Sequence, residues 1–192
     1  MKFTAISDLH GYLPKDLPGG DVLCICGDIV PLDYQSDFTQ SVAWFCLDFA
    51  PWADSQPYRK VVFIGGNHDF FLQELGERHR PSSVMKRLLP GPHKGQSKLV
   101  YLCDDSVEID GIRIYGTPWI ADLARWAFLQ HNDELRLAGA CGCHQREGYR
   151  LCPLRSRPHR QPFPGAFRLR QECGECLPQG RELQDCVQTF QF

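Results

Sequence analysis

The sequence predicts a layered α/β domain over residues 1–137, and three observations carry that prediction. Short apolar runs recur, each running into a polar or glycine-rich loop, as buried strands of an α/β sheet do. An amphipathic helical stretch lies between the second and third runs and makes a strand, helix, strand crossover. Composition agrees: 43% apolar, 23% charged and 11% aromatic over 192 residues suits one globular domain with a core of its own and excludes disorder or collagen-like repetition for the chain as a whole.

Residues 2–7, 21–26 and 60–65 are the first three expected strands. In the helical stretch Phe38, Val42, Phe45 and Phe49 recur at spacings of four, three and four, which puts one apolar stripe against a sheet. Ser36 or Asp37 is the expected N-cap, and Pro51 is expected to close the helix. Residues 99–102, 107–109 and 112–115 give three further strands, the last two joined at Asp110-Gly111, a two-residue hairpin signal.

The chain changes character near Leu137. Residues 1–137 hold eight Ile and eight Val, whereas 138–192 hold only Val187, so the tail has almost no strand-forming material. Charge shifts at the same place, from 13 basic against 18 acidic side chains to eight Arg against five acids. With Pro153, Pro158, Pro162, Pro164 and Pro178 breaking any regular pattern, residues 138–192 read as an irregular Cys/Arg/Pro-rich tail, loop-like or disordered. Six of the ten cysteines lie there. The other four, Cys24, Cys26, Cys46 and Cys103, read as small buried apolar side chains within the domain.

A net charge of −2 offers no general attraction to nucleic acid or an anionic membrane, so a small molecule or a metal is the expected partner. No apolar run approaches the roughly 20 residues of a membrane helix, and the opening residues alternate like a strand rather than a signal peptide, so a cytoplasmic location is expected.

Ligand-binding groups in open α/β sheets gather where strands end. The first expected strand ends in Ser7-Asp8-Leu9-His10-Gly11, the second in Gly27-Asp28 and the third in Gly65-Gly66-Asn67-His68-Asp69. Each short motif alone is an ordinary turn signal. As an ordered set, each just past a strand, their carboxylate, imidazole and amide donors suit Mn, Fe or Zn.

Asp8-x-His10, Gly27-Asp28 and Gly66-Asn67-His68-Asp69 together resemble the first three motifs of the calcineurin-like metallophosphoesterases. The stretch from Leu99 to Leu102, Val107 to Gly111 and Ile112 to Trp119 further resembles the metallophosphoesterase-domain-containing subgroup, some of whose members act on cyclic nucleotides. The resemblance covers residues 1 to about 135 and implies a partial two-sheet sandwich flanked by helices, with a dinuclear metal centre at one edge.

Carried over to this sequence, it makes Asp8 and His10 ligands of a first divalent cation, Asp28 the bridge between two, Asn67 a ligand of the second and His68 the catalytic acid. The implied cofactors are Mn²⁺ or Fe/Zn. The implied reaction is hydrolysis of a small phosphomonoester or phosphodiester, cyclic nucleotides included, through a metal-bound hydroxide. Asp69 is read either as orienting His68 or as opening a helix.

The resemblance then stops. A strand ending in Thr-His-Gly-Pro-Pro and a later Gly-His-x-His motif complete the metal sites in this family, and neither occurs here. By that logic the first cation keeps three protein ligands, the second only Asp28 and Asn67, and activity is impaired. Two explanations of the tail stay open: an out-of-frame translation that leaves the domain truncated, or a genuine segment binding zinc through Cys141, Cys143, His144, Cys173 and Cys176. The alternative function is accordingly an inactive metal-binding relic or an interaction protein. His79, His93 and His131 read as surface residues, His131 doubling as a substitute ligand, and Trp44, Trp52, Trp119 and Trp126 as packing.

Overall fold

A computed structural model of the chain describes residues 1–78, 81–88, 98–120, 125–129, 152–153, 166–170 and 188–191. Four strands, β1 (Lys2–Ile6), β2 (Val22–Cys26), β3 (Lys60–Ile64) and β4 (Leu99–Tyr101), run parallel in one sheet, in the order β4-β3-β2-β1. A hairpin of β5 (Asp105–Ile109) and β6 (Ile112–Thr117) begins a second sheet. Its turn is Asp110-Gly111, as expected, with φ of +50° and +77°.

Side chains alternate along the parallel strands, and the alternation divides the core in two. Leu23, Ile25, Val61 and Phe63 face the helices and pack with Phe45, Phe49 and Phe71. Val22, Cys24, Cys26, Val62 and Ile64 face the other way, toward Ile109 and Ile114 of the second sheet. On β6, a Cβ at Gly116 would come within 2.4 Å of Leu102 and 2.7 Å of Ile64, so the two sheets approach closely because that residue has no side chain. Cys24 and Cys26 are free and buried, as the sequence predicts.

The crossover starts where expected: the Asp37 carboxylate accepts from the Gln40 backbone N–H at 2.9 Å and caps α1 (Phe38–Trp44). Pro51 does not close it. A π-helical stretch, Phe45–Phe49, follows α1, with the Ala50 N–H bonded to the Phe45 carbonyl, and α2 (Ala50–Ser55) continues with Pro51 in its first turn. Proline is tolerated there because it supplies no N–H where a new helix begins. Phe45 and Phe49 stack on each other at 5.0 Å and both meet Phe63 at 5.8 Å. Each such buried ring contributes about 1.5–3 kcal/mol.

Of two further helices, the first was anticipated only as a start at Asp69 and the second escaped the sequence reading. They are α3 (Phe70–Arg78), which seats Phe71, Leu72 and Leu75 in the helix-side core, and α4 (Pro81–Leu88), which opens on a proline and buries Val84 and Leu88.

Within the tail, the described residues form three short strands that the sequence reading did not foresee. These residues contribute β7 (Cys152–Pro153) and β8 (Ala166–Arg170) to the second sheet, ordered β5-β6-β8-β7, and β9 (Gln188–Gln191) antiparallel to β1 on the first. Scarcity of β-branched residues did not prevent pairing, because strand pairing draws on backbone groups and residues 167–170 alternate apolar and basic. His79, His93, His131, His144, His159, Cys141, Cys143, Cys173 and Cys176 lie outside the described residues. No described helix is long and apolar enough to cross a membrane.

Candidate metal centre

The loops after β1, β2 and β3 meet at one edge of the parallel sheet, and backbone hydrogen bonds extend the strand pairing beyond the strands themselves. Asp8 N–H donates to the Gly27 carbonyl at 3.2 Å, His10 N–H to Asp28 at 2.8 Å and Gly11 N–H to Ile29 at 3.0 Å. On the other side, a Cβ on Gly27 would lie 2.7 Å from the Gly66 Cα, and Gly27 has φ +93°, so glycine at position 27 lets the second and third loops touch.

Asp8, His10 and Asp28 all have positive φ, at 52°, 43° and 53°. Left-handed backbone at non-glycine residues costs of the order of 1–3 kcal/mol each and persists where the surroundings impose it. Here it is imposed at three of the four ligand positions the resemblance names.

His10, Asp28 and His68 bring their ligand atoms within 4.8 Å of one another. His10 Nε2 lies 4.0 Å from Asp28 Oδ2, while Asp28 Oδ1 accepts the His68 backbone N–H at 3.0 Å. The two imidazoles stand edge to face, 4.8 Å apart. Asn67 is buried beside them, its carbonyl accepting from Ala127 N–H at 3.1 Å.

Electrostatics are unfavourable for the residues alone. Burial, with the Asp28 charge adding to it, pushes the Asp8 carboxyl up to about 6. Burial lowers His10, against the pull of Asp8, and burial together with His10 lowers His68 to about 4. Neutral imidazoles and crowded carboxylates are the state a cation requires and relieves.

Asp8 Oδ2 and His10 Nδ1 are buried without a hydrogen-bond partner, although buried polar atoms in proteins are almost always satisfied. Open oxygen and nitrogen donors on the loop that carries His10 into the His10, Asp28 and His68 group fit a divalent cation. The Cys26 thiol is pushed up to about 12 by burial and then by Asp8, and its side chain packs in the core between the sheets.

Asp69 opens α3, as one of its two readings had it, its carbonyl accepting from Leu72 N–H at 3.0 Å, while its side chain does something not foreseen. Fully buried, it accepts from the backbone N–H groups of Ile29 (3.0 Å), Val30 (3.0 Å) and Gly66 (2.8 Å), tying the Asp28 loop to the Asn67-His68 loop. Burial and the neighbouring Asp28 charge raise its carboxyl to about 7.

Gln35 and Trp126 also bear on the site, and sequence reasoning missed both. The Gln35 side-chain oxygen is hydrogen-bonded to His68 Nδ1, and the Trp126 ring lies 4.4 Å from that of His68. Trp126 was read as ordinary packing, whereas Trp44 and Trp52, which pack against Phe49, fit that reading. The segment carrying Trp126 is docked on the third loop by Ala127 N–H to Asn67 and by Phe128 N–H to the Gln73 side chain at 2.7 Å.

Comparison with known proteins gives the same answer as the geometry. Metallophosphoesterase domain-containing protein 1 of Homo sapiens is 31% identical over 140 residues, covering 66% of this chain and 40% of the relative; the Mus musculus protein of that name matches equally. The Caenorhabditis elegans UPF0046 protein T07D4.2 is 30% identical over 146 residues, covering 67% of this chain and 35% of its own length. The chain thus spans about two fifths or less of the curated relatives it matches. The family model described as Calcineurin-like phosphoesterase matches residues 1–140, so the chain belongs to the calcineurin-like phosphoesterase family.

Proposed function

We propose that this chain is a metal-dependent hydrolase of small phosphoesters, in which Asp8, His10, Asp28 and Asn67 hold divalent cations and His68 gives a proton to the leaving group. The observation that carries the reading is the convergence of His10, Asp28 and His68 ligand atoms within 4.8 Å, with Asp8 Oδ2 and His10 Nδ1 buried and unpartnered on the first of the converging loops. Cations bound there supply Lewis acidity and lower the pKa of water.

The chain's own residues do the rest. Left-handed backbone at Asp8, His10 and Asp28 aims three ligand side chains from two adjacent loops. Asp69 fixes the spacing of the second and third loops, and hence of Asp28 and His68, by backbone hydrogen bonds alone. His68, next to the ligand Asn67, donates a proton to the departing alkoxide, a contribution typically worth about 10²–10⁴-fold. Cyclic nucleotides are among the phosphodiesters this site would take.

The test is hydrolysis of bis(4-nitrophenyl) phosphate and 4-nitrophenyl phosphate by the full chain with added Mn²⁺. Activity that requires Mn²⁺ and falls on the order of 10³-fold in Asp28→Asn supports the reading; a Mn²⁺-saturated chain that hydrolyses neither ester refutes it.

A further inference from the structure

We propose that Gln35 is the positioning residue of the hydrolytic site, holding the His68 ring by its Nδ1 so that Nε2 is the nitrogen presented to the leaving group. The assignment rests on the reading of His68 as proton donor. It starts from an arrangement in which His68 is constrained on three sides: Gln35 at Nδ1, the Trp126 ring at 4.4 Å tilted by 58°, and the His10 ring at 4.8 Å and 90°.

Gln35 is itself well anchored. Its loop is built from consecutive turns, Tyr34 N–H to the Pro31 carbonyl at 2.9 Å and Asp37 N–H to the Tyr34 carbonyl at 2.8 Å. The Ser41 hydroxyl bonds the Tyr34 carbonyl at 2.7 Å, and Asp37 caps α1 directly after it. A glutamine side chain is flexible, but here its backbone is fixed on both sides before the side chain reaches across to His68.

The amide oxygen can only accept, so the Nδ1 that meets it carries a hydrogen, and Nε2 is left as the nitrogen that gains and loses the mobile proton. In hydrolysis the water oxygen forms the new bond to phosphorus. The proton that water loses passes to the bare Nε2; the bond from phosphorus to the leaving oxygen breaks, its electron pair goes to that oxygen, and Nε2 hands the same proton on to it, returning the ring to its Nδ1–H form. An unheld ring would exchange nitrogens or rotate, and proton delivery would suffer while substrate binding would not.

The test uses the full chain, Gln35→Leu, which removes the acceptor at similar size, and Gln35→Glu, which keeps it. The first readout is nitrogen-detected imidazole spectroscopy of the metal-free ¹⁵N-labelled protein, with His68 assigned by its disappearance in His68→Gln. The Nδ1–H tautomer with a protected Nδ1 proton is expected in the wild type and in Gln35→Glu, and its loss in Gln35→Leu.

The second readout is turnover with Mn²⁺ of bis(4-nitrophenyl) phosphate and of diphenyl phosphate, whose leaving group is poorer. Gln35→Leu is expected to lower kcat for diphenyl phosphate by about 10- to 100-fold, to lower it far less for the nitrophenyl ester, and to leave KM and Mn²⁺ affinity unchanged. An Nε2–H tautomer in the wild type, an unchanged imidazole signature in Gln35→Leu, or equal losses on both esters would overturn the assignment while hydrolysis stands. Absence of hydrolysis in the wild type would instead remove the hydrolase reading on which it rests.

Discussion

Asp8 and Asp104 each follow a parallel strand of one sheet, β1 and β4 respectively, and they have been put to different use. Each has left-handed backbone, with φ of 52° and 50°. The Asp104 carboxylate, at the surface, accepts from the Tyr115 hydroxyl at 3.1 Å, the Thr117 hydroxyl at 2.8 Å and the Trp119 indole N–H. At Asp8 one carboxylate oxygen is buried with no donor at all, and burial raises the group to about 6. A strained carboxylate filled by the protein's own donors is a tie between elements. One left open on the loop that carries His10 is a place for something from outside.

Breaking the ties should therefore cost stability, and breaking the open site should cost ligand binding. The largest stability effect is expected at Asp69, which is fully buried and serves three backbone donors. Asp69→Ala strands those donors and is expected to destabilise the chain by about 3–5 kcal/mol in urea denaturation; Asp69→Asn, which keeps one acceptor oxygen, is expected to lose less. Asp104→Asn is expected to cost only about 1 kcal/mol, because its donors are near solvent and one acceptor oxygen survives, and to leave Mn²⁺-dependent hydrolysis unchanged.

A further effect is a slope against pH. His68 is held near 4 when folded, below the usual 6.5 of an unfolded histidine. A depressed folded value means stability that is present above about 6.5 and lost as pH falls toward 4, since the unfolded chain takes up the proton first. In chelator, the wild type is expected to lose more Tm than His68→Gln between pH 7 and pH 5; parallel curves would contradict the depressed value.

Legibility in the sequence followed the range of the interaction. Strands β1 to β3, the Asp37 cap and the Asp110-Gly111 turn are set by residues close in the chain, and all were readable. So was the gathering of Asp8, His10, Asp28, Asn67 and His68 at one sheet edge, because parallel strands align their ends. The run through Pro51 was not, since a π turn depends on how Phe45 and Phe49 pack against Phe63. Strands β8 and β9 were hidden because their partners, β6 and β1, are distant in sequence. Gln35 and His68 are 33 positions apart with nothing local to link them, and the tie made by Asp69 spans 40.

The contrast between the two carboxylates is tested most directly by how Mn²⁺ shifts the urea midpoint of the full chain, compared among wild type, Asp8→Asn and Asp104→Asn. A cation bound to the folded state alone stabilises it by about 2.7 kcal/mol at a hundred times its dissociation constant. The account predicts that shift in wild type and in Asp104→Asn and its loss in Asp8→Asn. A wild type that Mn²⁺ does not stabilise, or an Asp8→Asn chain that keeps the full shift, would contradict it.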